Sequence, residues 1–222
     1  MNLVQKNSTV NTTALKNRDI KYIVIHYTAG VTSLKLAAEN TASWFANVNA
    51  KASADYIVDD DSVVQFNGDI KNRYTWHCGG SKYNTKGGSL YGVCTNKNSI
   101  GIEICSNNST KKVTNPNDAN WYFTEETIQN AIELVKQLMK DYNIDVNHVV
   151  RHYDITAKLC PGIIGWNADT GDESKWNAFK ASLVDTPVCN HDDEIEKLKS
   201  EVELWKNKYI ELKNKLKILA EE

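Results

Sequence analysis

Lys21-Tyr22-Ile23-Val24-Ile25-His26-Tyr27-Thr28 is the stretch on which the reading of this chain turns. Its β-branched apolar run reads as a buried strand with a histidine at its end. A second short apolar run, Val146-Asn147-His148-Val149-Val150, also reads as a strand and leads directly to His152. Eight residues later Cys160 stands before Pro161-Gly162, a pair that marks a loop. Two imidazoles and one thiolate make three ligands, and a zinc site with three protein ligands leaves a fourth position for water. A closed structural site calls for a fourth His or Cys close by, and none is obvious. The pattern therefore points to hydrolysis rather than scaffolding. Spacing alone leaves a second reading open, a satisfied core histidine and an unrelated buried thiol, because His26 lies far from the other two.

Outward from His26, Leu34 to Val48 reads as a helix with Leu36, Ala37, Trp44, Phe45 and Val48 on or near one face. Strands follow at Ala54–Val58 and Ser62–Phe66, joined by the acidic turn Asp59-Asp60-Asp61, so that Tyr56 falls on the first strand of a hairpin. Residues 67–97 hold most of the glycines and several aromatics, the composition of a long functional loop region. Ser99-Ile-Gly-Ile-Glu-Ile104 alternates as a strand and sets Glu103 opposite its isoleucines. Thr124-Glu-Glu-Thr127 opens with a capping signal for a helix running to about Tyr142, and a short helix is expected over Ser174–Leu183. The polar residues 1–20 are expected to wrap the surface. Strands interleaved with helices predict an α/β fold, one catalytic domain with a central mixed β-sheet flanked by helices, over residues 1–186.

The tail differs. Ile195, Leu198, Val202, Trp205, Tyr209, Leu212, Leu216 and Leu219 alternate three and four apart, which is the a/d pattern of a coiled coil. At ~1.5 Å per residue the seam is about 37 Å long. Residues 187–193, with Pro187 and Asn190, read as a linker, and 194–222 as a coiled-coil helix that joins copies of the chain, a dimer being favoured through 195–219. Glu194–Lys199 and Glu201–Lys206 pair favourably between parallel copies, whereas Lys208–Lys213 repel. The competing reading is an amphipathic helix packed on its own catalytic domain.

At 222 residues the chain is long enough for one full core. Net charge is -2, and the nine acidic and seven basic residues from Asp192 onward leave 19 of each before it. A catalytic region of balanced charge argues against nucleic acid as a partner, since phosphate binding needs a basic face. The first residues lack the apolar stretch of a signal peptide, and no run is long enough to span a membrane, so a cytoplasmic product is expected. Five cysteines, one of them a candidate ligand, form no paired framework and read as reduced thiols, although a Cys78–Cys94 bridge stays open.

The words around the candidate ligands resemble the zinc-dependent N-acetylmuramoyl-L-alanine amidases of the type-2 family, which includes bacteriophage lysozyme-amidases and is related to peptidoglycan recognition proteins. Ile23-Val-Ile-His26-Tyr-Thr is similar to that family's first ligand strand, and His152-Tyr-Asp-Ile-Thr-Ala-Lys158-Leu-Cys160-Pro-Gly to its later ligand segment. Ser53-Ala-Asp-Tyr56 resembles the segment that carries an active-site tyrosine, Trp76-His77-Cys-Gly a Trp-His-Ala-Gly turn, and Asn98-Ser-Ile-Gly-Ile-Glu103 a glutamate-bearing strand. Asp55 stands where many relatives have His, Cys78 where a small residue is usual, and Cys160 where some branches use Asp.

The resemblance implies Zn²⁺ on His26, His152 and Cys160, with Lys158 stabilising the oxyanion, Glu103 moving a proton, Tyr56 bonding water or carbonyl, and Trp76 and His77 lining the substrate cleft. It also implies peptidoglycan as substrate, cut between N-acetylmuramic acid and L-alanine. An endolysin would be made in the cytoplasm of an infected or lysogenic bacterium and reach the wall after membrane permeabilisation. A non-catalytic peptidoglycan-binding protein, a cytoplasmic wall-recycling amidase, a cysteine peptidase using Cys160 or Cys78, and a structural protein assembled by its tail with an inert amidase domain are the rivals.

Overall fold

The computed structural model describes residues 2–31, 34–82, 87–184 and 191–219, the side chains of 191–194 and 217–219 excepted. It divides into two units, Met1–Val184 and Asp185–Glu222. In the first unit the elements are β1 (Leu3–Gln5), β2 (Thr12–Ala14), β3 (Tyr22–Tyr27), α1 (Ala37–Phe45), β4 (Tyr56–Val58), β5 (Val63–Gln65), β6 (Arg73–Thr75), β7 (Ser99–Ile104), β8 (Asn107–Asn108), β9 (Trp121–Tyr122), α2 (Glu125–Tyr142), β10 (Val149–Arg151), α3 (His152–Thr156) and α4 (Ser174–Ser182).

Six strands form one mixed sheet in the order β1-β5-β4-β7-β3-β10. The strands β4, β7, β3 and β10 are mutually parallel, β5 runs against β4, and β1 lies parallel to β5. Parallel strands are covered on both faces, which is why β3 and β7 are almost continuously apolar. On one face Ile23 and Ile25 of β3 and Ile100, Ile102 and Ile104 of β7 pack with Ala131, Leu134, Val135 and Leu138 of α2 and with Trp176 and Phe179 of α4. The α2 residues recur at three and four positions, the spacing of a helix with one buried stripe. Its ends are well defined: Thr124 Oγ1 accepts from the Thr127 N–H at 3.2 Å, and Asn143 turns left-handed at φ 52°.

The opposite face is covered in two pieces. Ala38, Ala42 and Phe45 of α1 cover Ile57, Val64 and Phe66. Val24 packs with Cys78, Cys94, Val150 and Ile155.

Several local expectations are corrected. Residues 1–20 do more than wrap the surface: β1 extends the sheet in register Leu3↔Val63, and β2 pairs with β6. Arg18 is buried and donates to the carbonyls of Ile70 (2.8 Å), Arg73 (2.7 Å), Asn96 (2.9 Å), Lys97 (3.1 Å) and Ser99, stapling the start of the chain to the loops that flank β7. The run 146–150 is not one strand, because Val146–His148 form a 3-10 turn and only Val149–Arg151 pair with β3. The helix expected at 34–48 is confined to Ala37–Phe45, and Trp44 and Val48 are exposed.

The second unit is α5 (His191–Leu219), a continuous helix of 29 residues. The seam residues Ile195, Leu198, Val202, Trp205, Tyr209, Leu212 and Leu216 are each 45–67% exposed. Of the expected linker 187–193, residues 187–190 lie outside the described residues and 191–193 open α5. Among the described residues no helix is long and apolar enough to cross a membrane.

Candidate active site

Strand alternation decides which side chains meet. In β3, Ile23 and Ile25 face α2, so Val24 and His26 face the other way. In β7 the same phase sends Ile100, Ile102 and Ile104 toward α2 and leaves Gly101 and Glu103 opposite. The register pairs Val24 with Gly101 and His26 with Glu103, so imidazole and carboxyl are neighbours on one face.

His152 arrives from the other direction. Arg151 closes the start of α3 around Asp154: its N–H and Nε both reach Asp154 Oδ2, at 2.8 and 3.0 Å, and Nη2 reaches Oδ1 at 2.7 Å. The turn this creates makes His152 the first residue of a short helix rather than the end of a strand. The Tyr153 N–H then donates to the Cys160 carbonyl at 3.1 Å, folding the later segment back onto α3. Only glycine fits at 162, since a Cβ there would lie 2.3 Å from the Tyr27 hydroxyl. Pro161 is held by the Asn167 side-chain amide, which donates to its carbonyl at 2.7 Å.

These constraints bring His26, His152 and Cys160 together: each offers a donor atom within 4.8 Å of the others, and all three are buried. Cys160 Sγ is 3.6 Å from His26 Nδ1, and the two imidazole rings meet edge to face at 4.9 Å. Burial drives the His26 imidazole well below its usual range, with the neighbouring His152, His77 and Lys158 acting the same way. Burial, then Lys158 and His77, brings His152 down to about 3. Both rings are thus neutral at pH 7, the form in which imidazole binds metals. The Cys160 thiol is pushed up to about 12 by burial, then by Glu103, so a thiolate here requires a compensating cation. Both nitrogens of His152 are buried without a hydrogen-bond partner among the described residues. Such orphaned nitrogens are costly unless they bind something. Two neutral imidazoles and one thiol form a donor set that fits zinc.

The cluster lies in a cleft of about 910 Å³, whose lining includes Glu103, Lys158, Trp76, His77 and, from α1, Trp44. Glu103 Oε2 is buried without a hydrogen-bond partner among the described residues. Burial raises the carboxyl to about 8 against the opposing pull of Lys158 and His77. Lys158 is exposed at the cleft. Trp76 is 38% exposed, and its indole N–H donates to Thr13 Oγ1 at 2.9 Å. His77 is buried, with Nδ1 3.1 Å from His26 Nε2 and Nε2 3.2 Å from Ser99 Oγ. Asp55 is fully buried and accepts from Asn67 Nδ2 (2.7 Å), Thr75 Oγ1 (2.9 Å) and the Gly101 N–H (2.8 Å), which fixes the stretch leading to Trp76 and His77.

Tyr56 is not brought to this cleft, which corrects the role expected for it. It pairs with Ile102 across β4 and β7 and packs with the α2-side core, whereas Glu103 faces the opposite side opposite Ile57. His148 lies outside the cluster as well, half-buried and bonded through Nδ1 to Asp145 at 2.7 Å. Reading the sequence missed Trp44 as a cleft residue because the helical period assigned it to the core. It also missed Ser99 and Gly101, although a lone glycine inside a strand signals close approach of another group.

A mixed α/β sheet that ends in a His-His-Cys cluster, with a carboxyl and a lysine at the same cleft, places a donor set able to hold a metal beside groups suited to hydrolysis. Family comparison makes this specific: the profile described as N-acetylmuramoyl-L-alanine amidase matches residues 16–163, and the chain belongs to that family. The N-acetylmuramoyl-L-alanine amidase CwlL of Bacillus licheniformis is 31% identical over 172 residues, covering 77% of this chain and 43% of the relative. CwlH of Bacillus subtilis is 34% identical over 168 residues, covering 75% and 54%. The chain thus spans about half the length of the curated relatives it matches. The solved catalytic domain of XlyA superposes with a TM-score of 0.58 at 25% identity, over 83% of this chain and 100% of that one. A mutant endolysin from Bacillus subtilis gives 0.54 at 28% identity, over 82% and 99%.

Proposed function

We propose that the chain hydrolyses the amide bond between N-acetylmuramic acid and L-alanine in bacterial peptidoglycan, using a zinc ion held by His26, His152 and Cys160. The observation that carries this reading is the convergence of those three donors within 4.8 Å in the cleft of a chain from the amidase family. When bound, zinc supplies Lewis-acid polarisation of the scissile carbonyl and eases ionisation of water at neutral pH. Glu103 Oε2 takes the proton from the attacking water and passes it to the leaving amine, a task suited to a carboxyl whose proton affinity is raised by burial. The Lys158 ammonium stands beside the carbonyl oxygen as negative charge builds there. Trp76 and Trp44 offer ring surface on the cleft wall to the sugar or stem peptide.

A mechanism with Cys160 as nucleophile is disfavoured because its thiol, pushed up to about 12 by burial, supplies no thiolate at neutral pH without a cation. The role that fits best is lysis by a phage or prophage endolysin acting on the wall once the membrane is permeabilised, with a cytoplasmic wall-recycling amidase as the alternative. The exposed seam of α5 joins two copies, Glu201 and Lys206 flanking it at positions that pair between parallel helices. Mass spectrometry of digests of purified Gram-positive peptidoglycan, with and without zinc chelation, tests the activity. Stem peptides with a free L-alanine amino terminus, lost on chelation and restored by zinc, are expected. Intact glycan–peptide linkages would sink the reading.

A further inference from the structure

Three hydrogen bonds lead away from the donor cluster. His26 turns Nδ1 toward Cys160 Sγ, and its other nitrogen, Nε2, lies 3.1 Å from His77 Nδ1. His77 Nε2 lies 3.2 Å from Ser99 Oγ. Ser99 Oγ donates to the Thr95 carbonyl at 2.6 Å. The last bond sets the direction of the rest. A carbonyl only accepts, so the single hydroxyl hydrogen of Ser99 is committed to Thr95. Ser99 Oγ must then accept from His77, which puts the hydrogen of a neutral His77 on Nε2 and a lone pair on Nδ1. That lone pair accepts from His26 Nε2–H, and the free lone pair of His26 is left on Nδ1, facing Cys160.

We infer that His77 is a positioning residue which, anchored by Ser99, fixes His26 as the Nε2–H tautomer and aims its Nδ1 lone pair into the metal-binding cluster. The inference rests on the reading of His26 as a zinc ligand and deepens it. It also reassigns His77, whose two ring nitrogens are both engaged within the protein rather than offered to a substrate.

The slot that holds the ring is built for it. Gly101 lies beneath His77, and a Cβ at 101 would come within 2.5 Å of His77 Cγ and 2.8 Å of Nδ1. The backbone N–H groups of His77 and Cys78 both donate to Asn96 Oδ1, at 3.1 and 2.8 Å, which fixes the ring's point of attachment. The rings of His26 and His77 meet at 85°, an edge-on approach in which an N–H of one points at a nitrogen of the other. Partners of this kind, one bond beyond the ligand, typically govern metal affinity by about 10- to 100-fold.

The test uses the full chain. Zinc affinity is measured by competition with a chromophoric chelator for the unaltered chain, His77→Leu, His77→Asn and Ser99→Ala, with folding checked by circular dichroism. Long-range ¹H–¹⁵N correlation of the unaltered chain reads the histidine tautomers directly. His77→Leu removes the acceptor and should weaken zinc binding about 10- to 100-fold. His77→Asn restores an oxygen near the Nδ1 position and should recover part of that loss. His26 should carry its hydrogen on Nε2, and Ser99→Ala should weaken that preference while leaving the ring in its slot. An Nδ1–H tautomer at His26, or a folded His77→Leu that holds zinc as tightly as the unaltered chain, overturns the inference. If the variants fail to fold, the tautomer of the unaltered chain decides alone. Failure of the unaltered chain to bind zinc would instead refute the metal reading itself.

Discussion

His26 and Glu103 stand directly opposite each other on neighbouring parallel strands, on the face of the sheet that α2 does not cover. That pairing sets an imidazole of the proposed zinc site beside a buried carboxyl and makes their roles separable by substitution.

Cys160→Ser should abolish stoichiometric zinc binding and hydrolysis together. The thiol is the softest of three donors, and the hydroxyl that replaces it does not ionise at neutral pH. Elemental analysis of the purified variant, alongside turnover on peptidoglycan, checks this. Retention of both metal and activity would refute the ligand assignment.

Glu103→Gln should keep zinc and lower kcat by about 10²- to 10⁴-fold, the usual contribution of a positioned acid–base group. The same variant carries a pH signature in the metal-free protein. The folded carboxyl is raised to about 8 from an ordinary value of 4.5, so the fold favours the protonated form. Its contribution is complete below about pH 4.5 and is lost as pH rises toward 8, because only the unfolded chain has released the proton. Urea titrations across that window should show a decline in stability that is smaller in the glutamine variant. An equal decline in both would assign the pH dependence to other groups.

Lys158→Ala should likewise retain zinc, with kcat reduced by about 10²- to 10³-fold for the loss of one charge at the developing oxyanion. A rate unchanged within error would return Lys158 to the status of a surface lysine.

Tyr56→Phe should leave turnover within about twofold of the unaltered chain, since its ring packs with the α2-side core and not at the cleft. A large loss of kcat with normal stability would show that the hydroxyl reaches the reaction centre.

Removal of residues 191–222 should convert a dimer to a monomer in sedimentation equilibrium while the remaining unit keeps zinc and hydrolytic activity. Equal monomer masses for both proteins would remove the coiled-coil reading of the exposed seam.

Much of the site was legible from residue order alone. The run before His26, the alternation around Glu103 and the Cys160-Pro-Gly turn each carried a local signal that survives in the fold. The helix Glu125–Tyr142 was equally clear, because its cap and apolar stripe are both local. Tyr56 was misread for a physical reason. Every residue from Ala54 to Val58 is buried, so the strand shows no alternation from which to tell one face from the other. The opening strands escaped notice because three-residue segments carry too little pattern to stand above their polar surroundings.

The sequence by itself determined the candidate donor types and the strand that carries His26, since these depend on side-chain identity and on periodicity over a few residues. Only the tertiary structure decided that His26, His152 and Cys160 meet, that Glu103 and not Tyr56 shares their face, and that His77 is held between His26 and Ser99. Those outcomes depend on sheet register and on the return of the Cys160 segment to α3, contacts between residues far apart in the chain that no local pattern encodes.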